Sequence, residues 1–239
     1  MRVLVTGKGG VGKTTVASAL CAALADAGVD VVAIDADSSP NLALSLGGGH
    51  PDGLPAVANL TPPRAADGCD SDPLAAPEII ERYAVATRVG VPLVQTGRIE
   101  RPSQRCLCCG SHATARQVIA ALPGDERQLV VSDLEPGLND LLWAKPGPGD
   151  VVVAVTDPSQ KALEVTRRTL SIARELGVTR ALVVANKLRE DEPEVVRAAL
   201  PDTQLVEVAY HPALDRSTPD GQRPGEIRLL ARRLAAEGD

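Results

Sequence analysis

Residues 1–24 constrain the fold of this chain more than any other stretch. Val3-Leu4-Val5 is a short apolar run that reads as a buried strand. Gly7-Lys8-Gly9-Gly10-Val11-Gly12-Lys13-Thr14-Thr15 follows at once, and residues 16–24 read as a helix without a breaker. Strand, G-x-x-x-x-G-K-T turn and helix in that order build a phosphate-binding loop. Its glycines let backbone N–H groups turn inward around a β-phosphate, because residues without a Cβ adopt those dihedrals at little cost. The helix N-terminus adds partial positive charge. Gly9, Gly10, Val11, Gly12, Lys13, Thr14 and Thr15 are therefore the expected nucleotide-binding set. Lys13 supplies a point charge for the β- and γ-phosphates of ATP, and the Thr14 hydroxyl is the expected Mg²⁺ ligand.

The rest of the composition fits an α/β domain. The chain has 239 residues, enough for one domain with a large core over 1–239. Aromatics are scarce, with no Phe, one Trp and two Tyr, so the core must be Val, Leu, Ile and Ala, which suits a parallel sheet under Ala-rich helices. A net charge of −6 argues against a broadly basic surface, and no nucleic-acid partner is expected. No apolar run approaches the roughly 20 residues of a membrane span. The N-terminus reads as a core strand rather than a signal peptide, which implies a cytoplasmic protein with reduced thiols.

One residue narrows the motif. Lys8 stands directly after the first glycine, giving Lys8-Gly-Gly-Val-Gly-Lys-Thr-Thr15. This resembles the deviant Walker A motif of one P-loop ATPase family. That family includes the nitrogenase iron protein, MinD, ParA, the arsenite and tail-anchor ATPases, and CooC, the accessory ATPase that loads nickel into carbon monoxide dehydrogenase. The resemblance implies hydrolysis of ATP to ADP and phosphate, and a homodimer closed by ATP. Lys8 would then reach the phosphates held by the partner subunit, making Lys8, Lys13 and Asp37 the expected catalytic residues.

Residues 29–34 read as a second strand ending in Asp35-Ala-Asp37-Ser-Ser-Pro-Asn41-Leu42. Carboxylates at the C-terminal end of such a strand face the ligand crevice of an open α/β sheet. The stretch resembles the family's switch I, which implies that Asp37 positions the attacking water and Asp35 organises Mg²⁺ through water. Residues 91–95 read as the third strand and residues 128–133 as the fourth, with Asp133 in the Walker B position, expected to hold Mg²⁺ through water. Asp133-Leu-Glu135-Pro-Gly137 matches the CooC-type pattern Asp-x-Glu-x-Gly, in which the Gly137 N–H meets the γ-phosphate. A fifth strand over 151–156 leads into a helix with Asp157 as cap and Pro158 in its first turn. A sixth strand over 180–185 ends in Asn186-Lys187, where Asn186 resembles the family's adenine reader. A seventh covers 205–209, and residues 210–215 resemble the loop that encloses the base.

The cysteines are the second informative feature. Cys106-Leu-Cys108-Cys109 places three of the chain's five cysteines within four residues. Two thiolates one residue apart can share a soft or borderline ion such as Ni²⁺ or Zn²⁺. A symmetric dimer would complete a tetrahedral site with the same pair, Cys106 and Cys108, from the other chain. The nickel-loading ATPase does this with its C-x-C, which implies a client resembling carbon monoxide dehydrogenase. Cys109 departs from that pattern and creates C-x-x-C, which resembles the iron–sulfur carrier ATPases, although in those the cysteines follow the switch II aspartate. Cys21 reads as a small core residue. Residues 47–77 are rich in Gly, Pro and Asp and read as a flexible surface excursion in which His50 and Cys69 are isolated loop residues. Residues 226–234 read as a final packing helix.

Seven strand-like runs alternating with helical runs predict an α/β fold with a doubly wound, mostly parallel seven-stranded sheet. Three functions stay open: a Mg²⁺-ATPase that delivers nickel, a MinD/ParA-like positioning or partitioning switch, and an iron–sulfur carrier.

Overall fold

The computed structural model of the chain describes residues 1–57, 75–97, 111–122, 127–212 and 223–238. Seven strands form one sheet: β1 (Arg2–Gly7), β2 (Val31–Asp35), β3 (Leu93–Gln95), β4 (Leu129–Asp133), β5 (Val151–Thr156), β6 (Arg180–Leu188) and β7 (Leu205–Ala209). Their order is β3-β2-β4-β1-β5-β6-β7, and every neighbouring pair is parallel. The sheet is therefore wholly parallel, and β1 lies between the half built first (β2, β3, β4) and the half built afterwards. That reversal opens a crevice above the C-terminal end of β1, where the phosphate-binding loop emerges.

Both faces of the sheet are covered, so its strands read as nearly unbroken Val, Leu, Ile and Ala. One face carries α1 (Lys13–Asp26), α2 (Leu42–Leu46) and α8 (Gly225–Gly238). The other carries α3 (Ala76–Tyr83), α4 (Ser111–Ala121) and α5 (Asn139–Ala144), with α6 (Gln160–Glu175) and α7 (Glu192–Ala199) over β5 and β6. Helix α1 is buried on nearly every side, between the sheet and α8. Its alanines allow that close approach, and Cys21 sits inside it, fully buried, with burial pushing its thiol pKa up. Ile227, Leu230, Ala231 and Leu234 of α8 are buried against this layer, the packing role expected of the last helix.

Several local expectations are revised. Strand β6 does not stop at Ala185 but runs through Asn186 and Lys187 to Leu188, with an irregularity in its pairing to β7 between Ala185 and Leu188. Lys187 takes φ +61° there, a left-handed conformation rare for a non-glycine residue. Helix α6 is capped by Ser159, not Asp157: the Ser159 hydroxyl accepts from the Ala162 N–H, and Asp157 accepts from the Ser159 N–H. The start of the 47–77 stretch is packed rather than free. Pro51–Gly53 forms a 3-10 turn, Ala56 bridges to Gln95 in parallel, and Ala56 and Val57 are buried. Residues 58–74 of that stretch, including Cys69, lie outside the described residues.

Candidate nucleotide-binding site

The phosphate-binding loop is shaped by what surrounds it. Gly7 ends β1 so close to β5 that a Cβ there would sit 2.2 Å from the Val155 carbonyl oxygen. Gly12, at φ +95°, turns the chain into α1, and a Cβ on it would lie 2.4 Å from Asn186 Nδ2. Between them Val11 is fully buried, anchoring the loop. Asn186 Nδ2 donates to the Val11 carbonyl at 2.9 Å, and Lys187 Nζ donates to the Gly10 carbonyl at 3.1 Å. That contact uses one of the two Asn186 amide N–H donors; a purine edge, its expected ligand, would take the other donor and the carbonyl. Gly12→Ala should weaken ATP binding roughly 10- to 100-fold, because strain of about 1–3 kcal/mol at such a backbone position is relieved only by deforming the loop. Titration with a fluorescent ATP analogue measures it.

Lys13 opens α1 and turns back over the loop, its Nζ 3.5 Å from the Lys8 carbonyl oxygen. It is 6% exposed. Burial lowers its pKa, and four carboxylates, Asp133, Asp37, Asp140 and Glu135, oppose that. Lys8 is half-buried on the same loop.

Sheet register assembles the carboxylates. Asp35 on β2 pairs with Asp133 on β4, so two acidic side chains stand side by side at adjacent strand ends. Both are buried. Burial, then the Asp133 charge, raises the Asp35 pKa to about 8, opposed by N–H bonds from Leu42 at 2.9 Å and Asp37 at 3.3 Å. Burial raises Asp133 to about 7, opposed by a hydrogen bond from the Thr14 hydroxyl and by the Lys13 charge. Asp133 Oδ1 is buried without a hydrogen-bond partner. An orphaned carboxylate oxygen beside the Thr14 hydroxyl is a donor set that fits Mg²⁺. Among the described residues, no three His, Cys, Asp or Glu side chains converge as a metal-ligand group.

The two switch segments meet over this site. Burial is the main cause raising the Asp37 pKa, and its Oδ1 accepts from the Ser39 N–H at 2.8 Å. The next amide, Ser38 N–H, donates to Glu135 Oε1 at 2.8 Å. The Glu135 N–H donates to Asp140 Oδ2 at 2.9 Å. The Gly137 N–H, expected to meet a γ-phosphate, donates here to the Gly7 carbonyl at 3.2 Å, and Pro136 lies 3.7 Å from where a Cβ on Gly9 would be. The second switch thus rests on the loop, with the Gly137 N–H occupied by the Gly7 carbonyl.

The structure therefore brings Lys8, Lys13, Thr14, Asp35, Asp37, Asp133, Gly137, Asn186 and Lys187 into one region. Cys106, Cys108 and Cys109 lie outside the described residues, as do residues 213–215 of the base loop. Tyr210, His211 and Pro212 are exposed. His50 is an exposed loop residue facing Asp52. Sequence reasoning missed two polar contributors. Asp140 is a buried acid on a helix too short to show periodicity. Gln95 is in register with Asp35, and its buried amide has no hydrogen-bond partner. Its only sequence signal is a polar residue ending an apolar strand.

Comparison with known proteins agrees with this geometry. The family model for the CobQ/CobB/MinD/ParA nucleotide binding domain matches residues 3–215. The chain is 30% identical over 204 residues to the carbon monoxide dehydrogenase accessory protein CooC of Rhodospirillum rubrum, covering 79% of this chain and 74% of that protein. It is 26% identical over 217 residues to an uncharacterised ATP-binding protein of Methanocaldococcus jannaschii, covering 87% and 83%. The cell division ATPase MinD of Pyrococcus furiosus shares the fold, with a TM-score of 0.70 at 23% identity over 99% of this chain and 98% of that one. A phosphate-binding loop braced by β6, a buried aspartate pair at the sheet's switch point and a match spanning most of its length place this chain in the CobQ/CobB/MinD/ParA family of nucleotide-binding proteins.

Proposed function

We propose that the chain is a dimerising Mg²⁺-ATPase that delivers nickel to a metalloenzyme resembling carbon monoxide dehydrogenase. The observation that carries this reading is the 30% identity to CooC across most of both chains, in a sequence with the Cys106-x-Cys108 pair. ATP binds with its phosphates in the cradle of residues 9–15. Thr14, with Asp35 and Asp133 through water, would hold Mg²⁺, which would supply neutralising charge for the phosphates. Lys13 adds the positive charge of this chain, and Lys8 adds that of the partner across the dimer. Asp37 orients water for in-line attack, so that positioning and electrostatics carry the reaction without a covalent intermediate.

Nickel is cargo in this scheme, held by Cys106 and Cys108 from each of two subunits. Helix α4 begins two residues after Cys109 and packs against α5, just beyond switch II. The Arg116 guanidinium of α4 lies 5.6 Å from the Trp143 ring centroid of α5. A nucleotide-driven shift of switch II is therefore adjacent to the helix that follows the cysteines. Among the described residues, no helix is long and apolar enough to cross a membrane.

Anaerobic titration with Ni²⁺ and Zn²⁺, alongside mass measurement with and without ATP, tests the reading. The expected result is about one ion per two chains, lost in the Cys106→Ser/Cys108→Ser double variant and altered by ATP. ATP-driven dimerisation without tight metal binding would overturn nickel delivery in favour of a positioning switch. A brown, sulfide-containing protein would move it to iron–sulfur carriage.

A further inference from the structure

One side chain ties the two switches together. Glu135 and Ser38 are 97 residues apart in the chain, yet the Ser38 N–H donates to Glu135 Oε1 at 2.8 Å. Glu135 is itself held. Its N–H donates to Asp140 Oδ2 at 2.9 Å, and Asp140 is a buried residue in the first turn of α5. The link therefore runs from switch I through Glu135 to the helix that follows switch II.

Position gives this link its consequence. Ser38 directly follows Asp37, so gripping the Ser38 amide restricts where the Asp37 carboxylate can stand. Glu135 is half-buried there, close enough for its charge to raise the proton affinity of both Asp37 and Lys13. The ATP phosphates would enter beside Lys13, where their charge opposes that of Glu135. The Gly137 amide, two residues on, is bonded to Gly7. Switch II is thus tied to the loop through its Gly137 amide and to switch I through Glu135.

We propose that Glu135 is a positioning residue that couples switch I to switch II, holding Asp37 in place for hydrolysis through its hydrogen bond to the Ser38 amide. This rests on the ATPase reading above. What the contact requires is an acceptor oxygen at the right reach. Glutamine keeps that oxygen without the charge. Aspartate keeps the charge but is one methylene shorter. Alanine keeps neither.

The test compares Glu135→Gln, Glu135→Asp and Glu135→Ala with the wild type in two readouts. The first is steady-state ATP hydrolysis. The second is the emission change of Trp143 when a non-hydrolysable ATP analogue binds. Trp143 is the only tryptophan and lies on α5, so its emission reports the helix at the far end of the link. In Glu135→Ala and Glu135→Asp, kcat should fall roughly 10- to 100-fold, the loss produced by a misplacement of about 1 Å, while the KM for ATP stays within about 3-fold. The Trp143 response should disappear in both although the analogue still binds. Glu135→Gln should retain both properties within about 3-fold, because the acceptor oxygen survives.

Wild-type kcat and Trp143 response in Glu135→Ala would overturn the proposal, as would a Glu135→Gln variant as impaired as alanine. Should Glu135→Ala fail to fold, the aspartate and glutamine variants decide between reach and charge by themselves. A wild type that binds ATP without hydrolysing it would sink the ATPase reading. The dependence of the Trp143 response on residue 135 would still decide the coupling, and an absent wild-type response would overturn it.

Discussion

Replacing Lys13 with methionine is expected to abolish stabilisation by ATP and to lower kcat/KM for its hydrolysis by roughly 100- to 1,000-fold, the loss seen when one preorganised charge or donor at a reacting centre is removed. The reason lies in the surroundings of Lys13. It is the positive group set against Asp133, Asp37, Asp140 and Glu135, and it is 6% exposed. Without it, triphosphate would enter a buried site whose four carboxylates are no longer offset by the lysine that opens α1, and the loop would hold the phosphates with one charge fewer. Thermal melting shows the effect directly. A ligand at 100 times its Kd stabilises a protein by about 2.7 kcal/mol, and one whose Kd has risen 1,000-fold stabilises it by less than about 0.1 kcal/mol. Methionine matches the length and flexibility of the lysine stem, so the fold itself should survive. A Lys13→Met protein that still gains melting temperature with Mg·ATP would show that the loop is not the nucleotide site.

Asp133→Asn should have the opposite effect on the ligand-free protein, raising its stability while removing Mg²⁺-dependent nucleotide binding. Asp133 and Asp35 are buried side by side, and their pKa values are raised to about 7 and about 8. In the unfolded chain an aspartate titrates near 3.9. Between about pH 4 and pH 8 the folded state therefore binds more protons than the unfolded state, and stability falls as pH rises through that window. The penalty is greatest above pH 8, where both carboxyls are ionised, and is relieved on acidification. Asparagine removes one charge and also relieves Asp35, whose raised pKa owes part of its shift to Asp133. The variant should melt several degrees above the wild type at pH 8, with the difference shrinking toward pH 5. Millimolar Mg²⁺ with ATP should stabilise the wild type at pH 8 and not the variant. A difference that grows on acidification would contradict this account. On this account the pair costs stability in exchange for charge available to a cation.

Much of this was legible along the chain because the chemistry is local. The loop from Gly7 to Thr15 declares itself by glycines and a lysine at fixed spacing between a strand and a helix. The strands declare themselves as uninterrupted Val, Leu and Ala, because a parallel sheet covered on both faces has no polar side to alternate with. The short helices α2 and α5 span five and six residues, too few for an apolar stripe to repeat. The Ser159 cap was hidden because Asp157 and Ser159 are both good capping residues, and only the path of the backbone selects one.

What the sequence alone determined was the kind of machine: a nucleotide cradle, acids at strand ends, a strand count and a two-sided parallel sheet. What only the tertiary structure decided was which distant groups meet. Asp35 and Asp133 become a pair because β2 and β4 lie in register, and neighbouring strands run about 4.8 Å apart. Asn186 braces the loop because β6 continues past Ala185. Glu135 reaches Ser38 because both switches leave the C-terminal ends of adjacent parallel strands. Desolvation and Coulomb interaction act through space, so the charge state of these groups follows from the packing of strands and not from their order along the chain.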